Sequence, residues 1–373
     1  YAGVRSLDIR TAWNNDSQAM VLVHGSASNV CHTPDHNGNA QNKTFSSVLK
    51  TISSYLKSHP TETVIMTLKI DGGSEKTGVE WLASDLTAYL ADPQNARIYS
   101  WNNEASYGRV QSNLSSPKLG DVRGKLVIFS RVNFRNYLGE THELYKYLGP
   151  DLTQWDASYN DRAYYLQKIK SDSAVNVYIQ DDYSSPDDNK KKQVFNAIRD
   201  TNNKLTGVPH DPITAQDFVF NYTSKTTGSS YGATPLGAAK YMNNLIYNDS
   251  MFTPGTNAAK DNPRLGIVVM DYVNKQLCRR IIDRNTFPSS SGMKILELIN
   301  PGLISGLSAD GYALDGMELD SFEALALDPA LYEADFTSYS EDIPAVAAYE
   351  AVSGNGSSDI VWPVSAELTY GYV

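Results

Sequence analysis

At 373 residues the chain exceeds one ordinary domain, and its charge is unevenly spread: residues 287–373 carry fourteen Asp or Glu against one Lys, a balance of −13 that leaves +3 for residues 1–286 out of a total of −10. A mildly cationic larger part without a dense basic stripe excludes a duplex-binding protein and suits approach to an anionic lipid surface. Two cysteines are too few for a disulfide framework or a structural zinc site, and no run approaches the ~20 apolar residues of a membrane-spanning helix.

Seven short apolar runs read as strands: VRSLDIR (4–10), MVLVHG (20–25), TVIMTLKI (63–70), KLVIFSRV (125–132), NVYIQDDY (176–183), FVFNYTS (218–224) and LGIVVMDY (265–272). A polar loop rich in Asn, His and Gly (25–43) follows the second run. Phe45, Val48, Ile52 and Leu56 then share one face of a helix that Pro60 stops, with His59 as partner of its C-terminal dipole. Residues 78–92 repeat the pattern through Val79, Trp81, Leu82, Leu86 and Leu90. The Tyr-rich piece 133–175 suits an excursion over a barrel mouth. Residues 187–205 read as a solvent-facing helix with Val194, Ile198 and Leu205 buried and its Lys run solvated, and 273–285 as a closing helix. Strands alternating with helices indicate an α/β fold with a parallel sheet or barrel over residues 1–286. Residues 287–373, beginning at an SSSG linker, read as an acidic β-rich accessory module.

In such barrels the chemistry gathers at the C-terminal ends of the strands, where this chain places most of its strand-borne polar groups. Asp8 and Arg10 share a strand face, as an ion pair whose guanidinium fork fits two phosphate oxygens or as a structural salt bridge. His24 ends an apolar strand, well placed as a general acid or base or else held structurally. Lys69 and Arg131 are cations in buried-type strands, needing a partner or a ligand. Asp181 and Tyr183 offer a hydroxyl acceptor and a flat wall to a polyol ring. Asp271 either orients a His or caps the helix that follows. CHTPDH (31–36) is a weak metal candidate through Cys31, His32, Asp35 and His36, and His210-Asp211, between prolines, reads as a surface turn. HExxH, paired CxxC, Gly-rich phosphate loops and GxSxG are absent from the sequence.

GVRSLDIR, VLVHG, HPTETVIMTLK, LGDVRGKLVIFSR, IQDDY, FNYTS and GIVVMDY resemble, in order and spacing, the bacterial phosphatidylinositol-specific phospholipase C family across residues 1–285. The resemblance implies a distorted TIM-like (β/α) barrel that cleaves phosphatidylinositol, and in some members glycosyl-phosphatidylinositol anchors, to diacylglycerol and inositol 1,2-cyclic phosphate. By motif, His24 resembles the general acid and Arg10 the phosphate clamp, with Asp8 supporting both. Lys69, Arg131 and Asp181 resemble inositol ligands, Tyr183 the stacking wall, and Asp271 the partner of the general base. A guanidinium in place of an acidic metal ligand implies no metal and no cofactor. The implied partner is a membrane surface, met peripherally without a spanning segment, with Tyr164, Tyr165 and Tyr231 as rim candidates.

The family's general-base His, followed by Asp on the first barrel strand, has no match in the sequence. The expectation is a secreted, N-terminally truncated enzyme lacking that strand and near-inactive as it stands. The alternatives are an inactive barrel binding inositol lipids or glycans, and a metal-dependent glycerophosphodiesterase, which would need acids where Arg10 stands.

Overall fold

The computed structural model describes residues 3–34, 40–101, 116–139, 142–155, 166–169, 175–225, 234–285 and 360–361. Its first strand, β1 (Ser6–Asn14), runs four residues past Arg10 and turns back into β2 (Ala19–Leu22), which pairs with it antiparallel. The second apolar run is therefore a hairpin arm rather than a member of the parallel array, because only four residues, 15–18, separate the strands and a parallel return needs a long crossover. The polar loop beyond it contains a second small hairpin, β3 (Cys31–Pro34) with β4 (Ala40–Asn42).

The regular β/α alternation starts at α1 (Phe45–Ser58). Thr44 caps it by accepting from the Ser47 N–H, and Phe45, Val48, Leu49, Ile52 and Leu56 are buried along one face. Its last turn stacks the His59 ring on Tyr55, with Nδ1 3.0 Å from the Tyr55 carbonyl, so His59 serves the helix end as expected. β5 (Thr63–Ile70) pairs in parallel with β1, and α2 (Glu75–Ala91) follows from its Ser74 cap. Trp81 stands exposed, stacked on Trp13, while Tyr89 takes the buried place expected of Leu90. β6 (Arg97–Ile98), α3 (Leu119–Val122) and β7 (Lys125–Ser130) complete a sheet of order β2-β1-β5-β7-β6.

The next segment divides rather than spanning the mouth as one excursion. α4 (Phe134–Leu138) and a 3-10 turn (Glu143–Tyr147) pack outside β5 and β7 through Phe134, Leu144 and Leu148. Asp151 and Leu152 then pair with Ser130 and carry Trp155 to the inner side. A second sheet, of order β11-β10-β9-β8, comprises β8 (Gln167–Ile169), β9 (Val177–Gln180), β10 (Phe218–Tyr222) and β11 (Ile267–Val269). Its outer face is covered by α5 (Asp187–Thr201), α6 (Pro235–Asn248), α7 (Asn257–Asp261) and α8 (Lys275–Ile282), with Phe195, Ile198, Ile246, Leu277 and Ile281 among the packed residues.

The two sheets share one apolar lumen. Val127 and Phe129 of β7 meet Val177, Ile179, Phe220, Tyr222 and Val269 of the second sheet, and the Phe129 ring contacts Phe218 and Phe220 at 4.9 and 5.3 Å. Among the described residues no strand ladder joins the two sheets, so the architecture is a distorted TIM-like α/β barrel, as expected. No described helix is long and apolar enough to cross a membrane.

Two local expectations are corrected. Lys190, first of the Lys run, is fully buried, whereas Lys191 and Lys192 are exposed; Leu205 lies beyond α5. His210 is no exposed turn: its Nε2 lies 3.0 Å from Asp200 Oδ2, and both side chains are buried. Cys278 is a buried thiol, which burial pushes up to about 12. Of the expected acidic module, only β12 (Ile360–Val361) lies among the described residues, paired in parallel with Cys31 and His32. Asp35, His36, Tyr164, Tyr165 and Tyr231 lie outside them.

Candidate active site

Alternation along the strands builds the site. Leu7 and Ile9 face the outer helices with Val64, Met66 and Leu68, so Asp8, Arg10, Thr67 and Lys69 face inward. Parallel register then sets Asp8 beside Thr67 and Arg10 beside Lys69. On β7, Val127 and Phe129 line the lumen, and Arg131 follows at the same parity, its N–H extending the ladder to the Leu68 carbonyl at 2.8 Å. On β9 the lumen parity of Val177 and Ile179 leads to the buried Asp181, and on β11 that of Val269 leads to Asp271.

Arg10 is gripped by two carboxylates. Asp8 Oδ2 accepts from its Nε at 3.3 Å and Nη2 at 3.1 Å, while Oδ1 accepts from the Thr67 hydroxyl at 3.0 Å; Asp71 Oδ2 lies 3.5 Å from Nη1. Asp71 also accepts from Lys69 Nζ and, at 3.2 Å, from the Gly25 N–H. Burial pushes the Asp71 carboxyl up, but the Lys69 hydrogen bond, the Arg10 and Lys69 charges and the Gly25 N–H outweigh it and hold it below the usual range.

His24 reaches this cluster through the hairpin: Val23 N–H donates to the Arg10 carbonyl at 2.9 Å, His24 N–H donates to Asn29, and Gly25 turns the chain at φ +76°. Among the described residues the imidazole makes no hydrogen bond. Although His24 stands at the rim with much of its surface in solvent, the protein around it displaces enough water to lower its titration. The Arg10 charge adds to that fall, and Asp71 and Asp8 oppose it.

Across the lumen, the Arg131 guanidinium lies over the Trp155 indole at 3.8 Å, with Nη1 buried and lacking a hydrogen-bond partner among the described residues. Trp155 Nε1 donates to Asp181 Oδ2 at 3.1 Å. Burial pushes Asp181 up to about 6; Lys190 and Arg131 pull it down, Asp8 adds to the rise, and Arg10 opposes it. Asp271, pushed by burial to about 6, feels Asp8, Arg10, Lys190 and Asp181 in turn. These mutual influences bring both sheets' polar ends into one electrostatic cluster. The helix after Asp271 is capped by Asn274, which accepts from the Leu277 N–H, so Asp271 is not its cap. Tyr183 stands exposed beside Asp181.

Residues 1–132 match the family model described as phosphatidylinositol-specific phospholipase C, X domain. A 1-phosphatidylinositol phosphodiesterase of Listeria monocytogenes is 27% identical over 288 residues, which cover 77% of this chain and 69% of that protein. One from Staphylococcus aureus is 24% identical over 294 residues, or 76% of this chain and 78% of that one. Over residues 1–132 the chain is similar to the phosphatidylinositol-specific phospholipase C family, in keeping with the resemblance of its motifs. A solved structure of the S. aureus phospholipase C, concerned with modulation of its membrane binding, superposes with a TM-score of 0.51 at 22% identity over 76% of this chain and 81% of that one, a likeness of fold.

The phospholipase resemblance picked out eight residues; the lumen side gathers Asp8, Arg10, Lys69, Arg131, Asp181 and Asp271, the hairpin supplies His24, and Tyr183 stands exposed two residues past Asp181. Three further residues escaped sequence reasoning. Asp71 continues the alternation of Thr67 and Lys69, but it lies one residue past the end of β5, where strand reasoning stopped. Trp155 is on no regular element and left no periodic signal. Lys190 was hidden inside a run of three lysines, of which only helical phase separates the buried one.

Proposed function

We propose that the protein is a phosphatidylinositol-specific phospholipase C that cleaves phosphatidylinositol at a membrane surface to diacylglycerol and inositol 1,2-cyclic phosphate. The carrying observation is Arg10, held between Asp8 and Asp71 in the same cluster as His24. The guanidinium supplies fixed positive charge for the phosphate, its two flanking carboxylates orient the fork, and the imidazole is near enough to feel it.

In this reading the inositol 2-hydroxyl gives its proton to solvent water and its oxygen attacks phosphorus in line as the bond to the diacylglycerol oxygen breaks. Arg10 stabilises the charge that builds on the phosphate, and His24 gives its proton to the leaving oxygen. A bound phosphate anion offsets the Arg10 charge that depresses His24, so the acid gains its proton when substrate arrives. Arg131, whose buried Nη1 has no hydrogen-bond partner among the described residues, Lys69 and Asp181 take the ring hydroxyls, and Tyr183 backs the ring. Asp271 has the part of orienting a general base in this reading.

The described imidazoles besides His24 have other tasks or places: His59 ends α1, His142 caps the 3-10 turn, His210 pairs with Asp200, and His32 lies on β3. With no general base among the described imidazoles, turnover is proposed to be slow, since loss of a general base typically costs ~10²–10⁴ in rate. Secretion, suggested by composition, accords with a lipid substrate met from outside a cell.

The test is cyclic phosphate release from phosphatidylinositol vesicles, followed by ³¹P NMR, with and without EDTA. Slow release that EDTA leaves unchanged and Arg10→Asp abolishes is expected. Release lost in EDTA would refute the guanidinium reading. Vesicle binding without any release would establish instead the inactive inositol-lipid-binding barrel.

A further inference from the structure

Lys190 is fully buried on α5, an unusual place for a lysine, and neither of its hydrogen-bond partners is a carboxylate. Nζ donates to Gln180 Oε1 at 3.1 Å and to the Asp182 carbonyl at 2.8 Å. Those two residues bracket Asp181. Gln180 Oε1 also accepts from the Asp182 N–H at 3.0 Å, and its Nε2 donates to Asn221 Oδ1 and to the Tyr222 carbonyl of β10 at 2.9 and 2.7 Å. Gln193, one turn beyond Lys190, donates to Asp182 Oδ2 at 2.7 Å, and the Ser185 hydroxyl donates to the same oxygen. One face of α5 thus fastens both flanks of the turn that carries Asp181 and Tyr183.

We propose that Lys190 is a positioning residue for the polyol-holding turn Asp181–Tyr183, fixing its backbone and lending positive charge to the carboxylates above it. The charged groups facing Lys190 are Asp181 and Asp182 from the turn, Asp271 from the end of β11, and Lys225 from beyond β10. Three of the four are carboxylates, two of them the site's own. A methionine of similar length would fill the space without the cost of desolvating a cation. What a methionine lacks is donors for the two flanking oxygens and a charge that lets Asp181 and Asp271 ionise. Lys190 touches no ligand; it acts through these neighbours. Burial pulls its own ammonium down to about 8, against the pull of the three carboxylates, so its charge is lost in mildly alkaline solution.

The proposal rests on the reading of Asp181 and Tyr183 as polyol ligands, and the experiment separates the two. Binding of myo-inositol, which carries no titrating group, is measured by calorimetry from pH 5 to 10 on the full chain and on Lys190→Met, Lys190→Arg and Lys191→Met, with Asp181 followed by carboxylate ¹³C NMR. Wild-type affinity is expected to fall above about pH 8. Lys190→Met should bind about tenfold more weakly at pH 7, the scale of one lost charge-assisted hydrogen bond, with Asp181 titrating at higher pH. Lys190→Arg should lose the alkaline limb, and the exposed Lys191→Met should behave as wild type. Lys190→Met with wild-type affinity and an unmoved Asp181 overturns the proposal. If Lys190→Met fails to fold, persistence of the alkaline limb in Lys190→Arg overturns it instead. If the wild type binds no myo-inositol at any pH, the polyol reading falls, and the Asp181 titration in whichever variant folds still decides the role of Lys190.

Discussion

Asp71→Asn tests whether the two cations and the His24 turn depend on one carboxylate. The change keeps shape and one acceptor oxygen but removes the charge that faces Lys69 and Arg10 and the second oxygen that completes the set with Gly25. A hydrogen bond to a charged group is typically worth ~1.5–3 kcal/mol. Here the Arg10 contact is long, at 3.5 Å, and the Lys69 and Arg10 side chains are 31% and 26% exposed, so solvent screens both. The net loss should be about 1–2 kcal/mol at neutral pH. The pH dependence has a definite sign. Because Asp71 titrates lower in the folded chain than unfolded, its contribution is full above the unfolded carboxyl value and drains away as the pH falls through the folded one. Urea denaturation should therefore separate the two proteins at pH 7 and bring them together as the pH falls through the folded Asp71 carboxyl's own titration. Asp71 also opposes the depression of His24, so imidazole NMR should show His24 titrating at lower pH in the variant. Equal stability at pH 7 together with an unmoved His24 would refute the reasoning.

Gly72 sits at φ +152°, and a Cβ there would meet the Ala27 nitrogen of the His24 turn at 2.5 Å, so Gly72→Ala should cost about 1–3 kcal/mol in denaturation and shift the His24 resonances. Gly25→Ala, at φ +76° in open space, should cost only the left-handed backbone, about 1–2 kcal/mol; a Gly72→Ala protein as stable as wild type would contradict the packing described. Asp271 keeps its proton to about pH 6 in the folded chain, whereas the unfolded chain releases it earlier, so stability from this group falls as the pH rises between about 4 and 6. Asp271→Asn should thus be more stable than wild type by about 1–2 kcal/mol at pH 7.5, with no gain at pH 4; a loss at pH 7.5 would mean that the carboxylate has a partner worth more than its burial costs. Trp155→Phe removes the donor to Asp181 and the indole beneath Arg131, and calorimetry should show myo-inositol binding about three- to tenfold weaker, against no change if the pair is mere packing.

The parts of this molecule that followed from its sequence are those governed by short periods. Two-residue alternation paired Asp8 with Arg10 and Asp181 with Tyr183, and the apolar runs marked Lys69, Arg131 and Asp271 by their place in or at the end of a strand; strand register then brings Lys69 beside Arg10. The 3.6-residue period likewise placed α1. What failed was whatever the apolar pattern of a run does not itself encode. The run at 20–25 is as apolar as a barrel strand, yet its direction was set by the short turn before it. Lys190 reads as solvated in a Lys-Lys-Lys run, and only the oxygens of Gln180 and Asp182, supplied by another element, make a buried ammonium tolerable.

The same contrast explains why the cation side and the polyol side of the site differ in their supports. Arg10 and Lys69 are held by carboxylates two residues away on their own chain, Asp8 and Asp71, so β1 and β5 carry clamp and counter-charge together. Asp181 has no such local partner; its charge is borne by Arg131, Lys190 and the Trp155 donor, from three separate segments. The first arrangement survives as long as two paired strands do. The second requires that α5, the Trp155 segment and β9 all be packed at once, so partial loosening of the barrel should cost polyol recognition before it costs the Arg10 clamp. Measured along a urea titration, the Asp181 carboxylate should move toward its unfolded behaviour at lower denaturant than His24 does, and a simultaneous change at both would show that the two sheets form one cooperative unit.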